Sequence, residues 1–204
     1  MIAIIDYGVG NLFSLSSSFN AIGHEVKIIS NPDELKNFDR IILPGVGAFG
    51  DAAEKLFSSG MAEPLINEAK NGKPILGICV GMQLLFTKSF EFGEYDGLNL
   101  IPGEVRAIKE VIPSELKIPQ IGWNALNIKN LNGIFSNSNN GEYVYFVHSY
   151  SAFCDEKFVT STTNYGADLV ASVQSENIYG VQFHPEKSGN SGLKILKAFC
   201  EVKA

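Results

Sequence analysis

Residues 73–86 have the sequence KPILGICVGMQLLF, and this stretch decides the fold. The apolar run Lys73–Ile78 predicts a buried strand, and Val80–Phe86 predicts the beginning of a helix. Cys79 therefore lies where a strand turns sharply into a helix, with a glycine two residues away on either side. Glycines let the backbone pack closely around a strained turn, so that the side chain between them projects from the edge of the sheet.

The position of Cys79 is typical of a catalytic nucleophile. Backbone N–H groups at the start of a helix favour a thiolate over a thiol. A buried structural cysteine is the alternative, because free Cys is among the most buried residue types. The two glycines and the strand-to-helix position favour the nucleophile.

A candidate base for this thiol is His184, in the sequence VQFHPEK at residues 181–187. Pro185 restricts the residue before it to an extended conformation, in which residues two apart project to the same side. His184 and Glu186 can then emerge together, as an imidazole base and the carboxylate that orients it. A His and a Glu in a solvated turn would mean little by themselves. Together with Cys79 they predict a Cys-His-Glu triad.

The rest of the first half predicts alternating strands and helices. Strands are expected at Met1–Ile5, Glu25–Ser30, Arg40–Leu43 and Pro74–Ile78, and helices near Leu12–Ile22, Asp51–Phe57 and Met61–Lys70. This alternation predicts a parallel sheet covered by helices on both faces.

The second half has a different pattern. Runs of period two predict antiparallel strands that extend the sheet, at Glu104–Lys109, Glu142–His148, Phe158–Thr163, Leu169–Gln174 and Ile178–Phe183. The Asn- and Ser-rich stretch Leu131–Gly141 is expected to be a surface loop, and Ser188 to open a final amphipathic helix. Since no linker or repeat interrupts the pattern, residues 1–204 are expected to form a single α/β domain, with a mostly parallel central sheet and an antiparallel extension in the C-terminal half.

Composition limits the function classes. The 204 residues carry a net charge of −6, which argues against nucleic acid or an anionic membrane as the main partner. No apolar stretch approaches the roughly 20 residues that span a bilayer. Three cysteines without paired spacing favour a reducing compartment, so we expect a cytoplasmic protein.

The sequence GVGAFG at residues 45–50 fits the dinucleotide pattern G-x-G-x-x-G between a strand and a helix. Such a site also needs an acidic residue at the end of a strand about 20 residues further on. Glu68 instead falls in a helical pattern, and Pro44 indicates an unusual loop. A nucleotide site is therefore disfavoured.

Several motifs now occur together, and their order resembles that of the class I, triad-type glutamine amidotransferases. Beside GICVG and FHPE, they are IDYGVGNL at 5–12, LPGVGAF at 43–49, IGWN at 121–124 and YFVHSY at 145–150. Within that family they are most similar to the glutaminase subunits of imidazole glycerol phosphate synthases. The resemblance extends from residue 5 to residue 187.

The resemblance implies a glutamine-hydrolysing site without a cofactor or a metal. It assigns an oxyanion hole to the backbone N–H groups of Gly47 and Val80. It also implies that Glu91 pairs with the α-ammonium group of glutamine, that Gln83 binds the substrate, and that backbone groups of Ser149 and Tyr150 contact its other end. Without the family, these four residues would be assigned to a solvated helix face and an ordinary strand end.

Ammonia made by so short a chain needs a separate acceptor enzyme. The resemblance implies a cyclase subunit of (β/α)8 fold, which forms a heterodimer with this chain. In the family, the segments that approach this partner correspond here to those containing Asn11, Pro119, Trp123, Tyr143 and Lys187.

The chain departs from the family at Gln120-Ile121, where a His-Met pair usually precedes Gly-Trp-Asn. One alternative is therefore a paralogue that supplies ammonia to a different synthase, such as a sugar-amidating enzyme. A more distant alternative is a flavodoxin-like binding module in which Cys79 is inert.

Overall fold

A large mixed sheet forms the centre of the computed structural model, which describes residues 1–203. Its strands from the first half of the chain are β1 (Ile2–Ile5), β2 (Val26–Ile29), β3 (Arg40–Leu43) and β4 (Ile75–Ile78). The later strands are β5 (Phe86–Ser89), β6 (Tyr95–Asp96), β7 (Ile101–Ala107), β8 (Gln120–Ile128), β9 (Tyr143–His148), β10 (Tyr150–Cys154), β11 (Val159–Asn164), β12 (Asp168–Ser175) and β13 (Ile178–Val181). The helices are α1 (Leu12–Ala21), α2 (Phe49–Ser58), α3 (Ala62–Lys70), α4 (Val80–Gln83) and α5 (Gly189–Glu201).

The nine strands of the main sheet follow the order β2-β1-β3-β4-β13-β12-β11-β8-β9. The first five strands in this order, from β2 across to β13, are parallel to one another, and each later pair of neighbours is antiparallel. The α/β class and the antiparallel extension are thus confirmed. The sequence did not predict the second sheet, which has four strands in the order β10-β7-β5-β6. The predicted strand at Glu104–Lys109 belongs to this second sheet, so its assignment to an extension of the main sheet was wrong.

Strand β13 was predicted as part of the antiparallel extension, but it is parallel to β4. Ile178 pairs with Ile75, and Val181 pairs with Ile78. On its other side β13 pairs with β12 in antiparallel fashion. A period of two identifies a strand without giving its direction, which depends on distant pairing. As a consequence, the carboxyl ends of β4 and β13 lie side by side at the middle of the sheet.

Helix α4 is a single turn, and the chain begins β5 at Phe86, so the prediction of a helix that continues to this residue was wrong. Leu84, Leu85 and Phe86 are all completely buried. A run that is buried on every side has no apolar and polar faces, and its period cannot distinguish helix from strand.

The core lies between the main sheet and the helices. Every residue of β1, β4 and β13 is buried, as expected for central strands covered on both faces. Helix α1 packs against α5, and α2 packs against α3. Among residues 1–203, none of the helices has the length and apolar character to cross a bilayer.

The stretch Leu131–Gly141 is more than the predicted surface loop. It contains a short 3-10 helix, Gly133–Phe135, which contacts α5. Ile134 and Phe135 are buried there, so this stretch contributes two large side chains to the core.

Candidate active site

Cys79 lies in a strained turn between β4 and α4. Its backbone has φ 55° and ψ −113°, a region that residues with a side chain rarely adopt. A Cβ atom on Gly77 would lie 2.6 Å from the carbonyl oxygen of Gly81, and one on Gly81 would clash with the carbonyl oxygen of Leu43. Both glycines are therefore required by close backbone packing, as the sequence predicted.

The loop Pro44–Ala48 packs directly against this turn. A Cβ atom on Gly45 would clash with the backbone nitrogen of Gly81, and one on Gly50 would lie 2.7 Å from the ring of Tyr95. The buried Tyr7 hydroxyl donates a 2.6 Å hydrogen bond to the carbonyl oxygen of Pro44. Close packing thus explains Gly45 and Gly50, whereas Gly47 meets nothing within 4 Å and is explained by its φ of 89°.

Parallel pairing of β4 with β13 brings the predicted triad together. The backbone N–H of Cys79 donates a 2.8 Å hydrogen bond to the carbonyl oxygen of Val181, a residue far from it in sequence. His184 follows β13, and its Nδ1 lies 2.9 Å from Oε1 of Glu186. His184 is extended as predicted, whereas Glu186 lies in the 3-10 helix Pro185–Lys187 rather than in an extended segment.

Hydrogen bonds to the backbone fix the position of His184. Its N–H donates to the carbonyl oxygen of Tyr145 at 2.9 Å. Its carbonyl oxygen accepts from the Ser188 hydroxyl at 2.6 Å, and the same hydroxyl accepts from the N–H of Tyr145. Sequence reasoning assigned Ser188 only to the start of α5. In the structure its hydroxyl links the backbone of His184 to that of Tyr145 on β9.

The electrostatics of the triad favour an imidazolium ion. Burial by itself lowers the pKa of His184, but hydrogen bonds to Cys79 and Glu186, together with their negative charges, raise it to about 9. The Glu186 side chain is 1% exposed, and its Oε2 atom has no hydrogen-bond partner among the described residues. The one hydrogen bond of the Glu186 carboxylate among the described residues is therefore with His184. Because the pair is buried, solvent screens this charge interaction weakly.

A cavity of about 390 Å³ opens beside Cys79 and His184. It brings together all six residues that the resemblance assigned to the oxyanion hole and the substrate, as well as two of the predicted interface residues. They are Gly47, Val80, Gln83, Glu91, Ser149 and Tyr150, with Pro119 and Lys187. The volume is within the range of small-molecule sites.

Glu91 has a structural contact in addition to its place in the cavity wall. Its Oε2 accepts a 2.7 Å hydrogen bond from the backbone N–H of Phe49, at the start of α2. A carboxylate there interacts favourably with the helix dipole. Burial raises the pKa of Glu91, and the hydrogen bond from Phe49 opposes that effect.

Two residues that the sequence analysis did not single out belong to the site: His148 lines the cavity, and Gln182 contacts Cys79. Gln182 is completely buried, and its Nε2 lies 3.8 Å from Sγ of Cys79. His148 donates from Nδ1 to the carbonyl oxygen of Tyr150 at 2.8 Å, and its Nε2 lies 2.9 Å from Oε1 of Gln120. With its proton on Nδ1, a neutral His148 can only accept at Nε2, so the Gln120 amide must then turn its NH₂ group toward that nitrogen. Burial lowers the pKa of His148 to about 4, so this second histidine is neutral near pH 7. A polar residue inside the predicted apolar strand Ile178–Phe183, two positions before His184, was the signal that could have revealed Gln182.

Of the predicted interface residues, Pro119 and Lys187 line the cavity, and Trp123 and Tyr143 lie on β8 and β9. Trp123 and Tyr143 are 51% and 59% exposed, and Trp123 packs edge-on against Tyr145 with 6.1 Å between ring centroids. Asn11 precedes the first turn of α1. Of the two residues that depart from the family pattern, Gln120 is completely buried and only Ile121 is exposed.

A larger groove, of about 880 Å³, lies between the two sheets and does not include the triad. Its cations Lys88, Arg106 and Lys129 are each paired with a carboxylate. Within residues 1–203, no three His, Cys, Asp or Glu side chains cluster in a way that could hold a metal ion.

Comparisons with known proteins show the family to which the chain belongs. The family model for glutamine amidotransferase class-I matches residues 3–202. Imidazole glycerol phosphate synthase subunit HisH of Caldanaerobacter subterraneus subsp. tengcongensis is 49% identical over 203 residues, which cover 99% of this chain and 98% of that protein. The protein of the same name from Geobacter metallireducens is 48% identical over 207 residues, covering 100% and 99%.

Solved structures share the fold at much lower identity. A crystal structure of a glutamine amidotransferase has a TM-score of 0.77 at 16% identity and covers 98% of both chains. The structure of PurLQS from Thermotoga maritima has a TM-score of 0.75 at 21% identity, covering 98% of this chain and 97% of that one. The family model and the full-length relatives together establish that this chain belongs to the class I glutamine amidotransferases, in the family of imidazole glycerol phosphate synthase subunit HisH.

Proposed function

We propose that this chain hydrolyses L-glutamine to glutamate and ammonia, as the glutaminase subunit of an imidazole glycerol phosphate synthase in histidine biosynthesis. The observation that carries the proposal is the buried pair of His184 and Glu186, 2.9 Å apart, beside a strained Cys79 in a chain of this family. We also propose that residues 1–204 form one glutaminase domain and that the compartment is the cytoplasm, where its three free cysteines stay reduced.

The triad supplies a nucleophile and a proton shuttle. His184 takes the proton of Cys79, and the thiolate attacks the side-chain carbonyl carbon of glutamine. The N–H groups of Gly47 and Val80 donate to the oxyanion that forms, a contribution of about 3–4 kcal/mol per donor in comparable enzymes. Imidazolium then gives its proton to the departing nitrogen, which leaves as ammonia and a glutamyl thioester remains. Water activated by His184 hydrolyses the thioester to glutamate and restores the thiol.

The cavity also offers recognition of glutamine as an amino acid. We propose that the Glu91 carboxylate pairs with the α-ammonium group of the substrate, since it lines the cavity and is held in place by Phe49. Gln83, Ser149 and Tyr150 also line the cavity. The carbonyl of Ser149 already accepts from Ile108, and that of Tyr150 from Gln83, so these contacts give the cavity wall a fixed shape.

Ammonia must reach its acceptor before water protonates it, so a partner subunit is part of the proposal. The relatives are named as subunits of a synthase, and we infer that the partner is a cyclase of (β/α)8 fold. Exposed Trp123, Tyr143 and Ile121 offer the aromatic and aliphatic side chains that anchor protein interfaces. Buried Gln120 cannot touch a partner directly, which weakens the argument for a different synthase based on the Gln120-Ile121 pair.

The experiment measures imidazole glycerol phosphate synthesis by the chain in complex with its cyclase, from glutamine and from ammonium salts. Cys79→Ala and His184→Ala should abolish synthesis from glutamine and preserve synthesis from ammonium, while Glu186→Gln should be milder because it keeps an acceptor. Cys154→Ala and Cys200→Ala serve as matched controls and should leave both reactions nearly unchanged. Glutamine hydrolysis by Cys79→Ala would overturn the mechanism, and a failure to pair with the cyclase would favour a paralogue that serves another synthase.

A further inference from the structure

The Cys79 sulfur contacts a second polar side chain besides His184. Gln182 Nε2 donates toward Sγ at 3.8 Å, and both residues are buried. The contact arises from strand pairing, because Gln182 directly follows Val181 on β13 and Cys79 directly follows Ile78 on β4. Gln182 and Cys79 therefore occupy neighbouring positions at the two strand ends.

The orientation of the Gln182 amide is determined by its neighbours. The carbonyl oxygen of Tyr150 can only accept, so the Gln83 atom that lies 3.1 Å from it must be the NH₂ nitrogen. The same nitrogen donates to Gln182 Oε1 at 3.0 Å. With its oxygen used as an acceptor, Gln182 must present its NH₂ group to the sulfur of Cys79.

His148 makes this arrangement more rigid. Its Nδ1–H donates to the same carbonyl oxygen of Tyr150, at 2.8 Å. The carbonyl is thus held between Gln83 and His148, and Gln83 in turn holds Gln182. Because the side chains of Gln83, Gln182 and His148 are all buried, water competes little for these hydrogen bonds.

We propose that Gln182 is a further catalytic residue, whose side-chain NH₂ group donates a hydrogen bond to the Cys79 thiolate and stabilises its negative charge. A donor that faces an ionised acceptor favours the charged form. Helix α4 is only one turn long, so its dipole is smaller than that of a long helix. The Gln182 amide adds a donor from the other side, fixed before the substrate binds. This inference rests on the proposed role of Cys79 as the nucleophile.

The test measures the rate of Cys79 alkylation by iodoacetamide as a function of pH, in the full chain. The other two cysteines interfere little near neutral pH, because burial raises the pKa of Cys154 and that of Cys200 to about 11. Gln182→Met keeps the length of the side chain and removes its donor. We expect the pH midpoint of alkylation to rise by about one unit, which is a roughly tenfold slower reaction below the midpoint.

Steady-state glutamine hydrolysis in the complex with the cyclase provides the second readout. A donor to the nucleophile should change kcat about tenfold and leave KM within about twofold, since it does not touch the bound amino-acid end. Gln182→Glu keeps the acceptor for Gln83 but presents an oxygen to the sulfur, so it should shift the midpoint further than Gln182→Met. If Gln182→Met does not fold, the same measurements are made on Gln182→Glu alone. Gln174→Met removes a hydrogen-bonded glutamine from β12, away from the site, and should change neither readout.

Two results would overturn the inference. An unchanged midpoint in the folded Gln182 variants would show that the amide does not act on the sulfur charge. Loss of kcat with an unchanged midpoint would assign Gln182 a purely structural role. Failure of the proposed function is distinguished by Cys79→Ala, because glutamine hydrolysis without the thiol would remove the nucleophile itself.

Discussion

The strained backbone of Cys79 leads to a prediction about stability that does not depend on the reaction. At φ 55° and ψ −113°, a Cβ atom is unfavourable whichever side chain it carries, whereas glycine adopts this region readily. Strain of this kind costs about 1–3 kcal/mol. Glycine has its own entropic cost of about 0.5–1 kcal/mol relative to alanine. Cys79→Gly should therefore be more stable than Cys79→Ala by about 1–2 kcal/mol.

The comparison of the two variants isolates the Cβ atom, since both have lost the sulfur. Urea unfolding gives the free energies, and equal slopes in the two titrations show that the same transition is being compared. For a chain of 204 residues the difference corresponds to roughly 2–8 °C in Tm. Both variants should lack glutamine hydrolysis.

The matched control is Ala53→Gly, in the interior of α2. There the backbone is an ordinary helix, and the same Ala-to-Gly difference should be destabilising by about 1 kcal/mol. Replacing alanine by glycine should therefore stabilise the protein at position 79 and destabilise it at position 53. If Cys79→Gly were less stable than Cys79→Ala, the turn would store no strain and the reasoning would be refuted.

Burial of neutral His148 should make the free energy of unfolding fall at mildly acidic pH. The pKa of His148 is about 4 in the folded protein and about 6.5 in the unfolded chain. Its contribution to stability is therefore complete above pH 6.5 and is lost as the pH falls toward 4. The loss should approach about 3 kcal/mol in urea unfolding at a series of pH values. The prediction is contradicted if the unfolding free energies of the wild type and of His148→Gln depend on pH in the same way. Gly81→Ala should cost more than about 3 kcal/mol in urea unfolding because the new Cβ meets the Leu43 carbonyl, whereas Gly23→Ala, which meets open space, should cost only about 1–2 kcal/mol for its positive φ. Glu91→Gln should raise KM for glutamine at least about tenfold with kcat little changed, and equal KM values in the hydrolysis assay would remove Glu91 from substrate binding.

Local sequence patterns predicted much of the parallel half of the fold. Alternating apolar strands and amphipathic helices were identified nearly to the residue, for example Arg40–Leu43, which is β3 as predicted. Where the chain is buried on all sides, the same reasoning failed, as at Leu84–Phe86 after α4. Strands such as β8 and β10 were missed because their exposed and buried residues do not alternate cleanly.

The sequence by itself predicted Cys79, His184 and Glu186 as nucleophile, base and orienting carboxylate, because glycines around Cys79 and the proline after His184 restrict the backbone locally. Only the tertiary structure decided that β13 lies parallel to β4, since strand direction depends on pairing between residues about 100 positions apart. That pairing places Gln182 beside the sulfur and His184 within reach of it. Burial also depends on the whole fold, so the charged state of His184 and the neutral state of His148 could not be predicted from two residues of the same type.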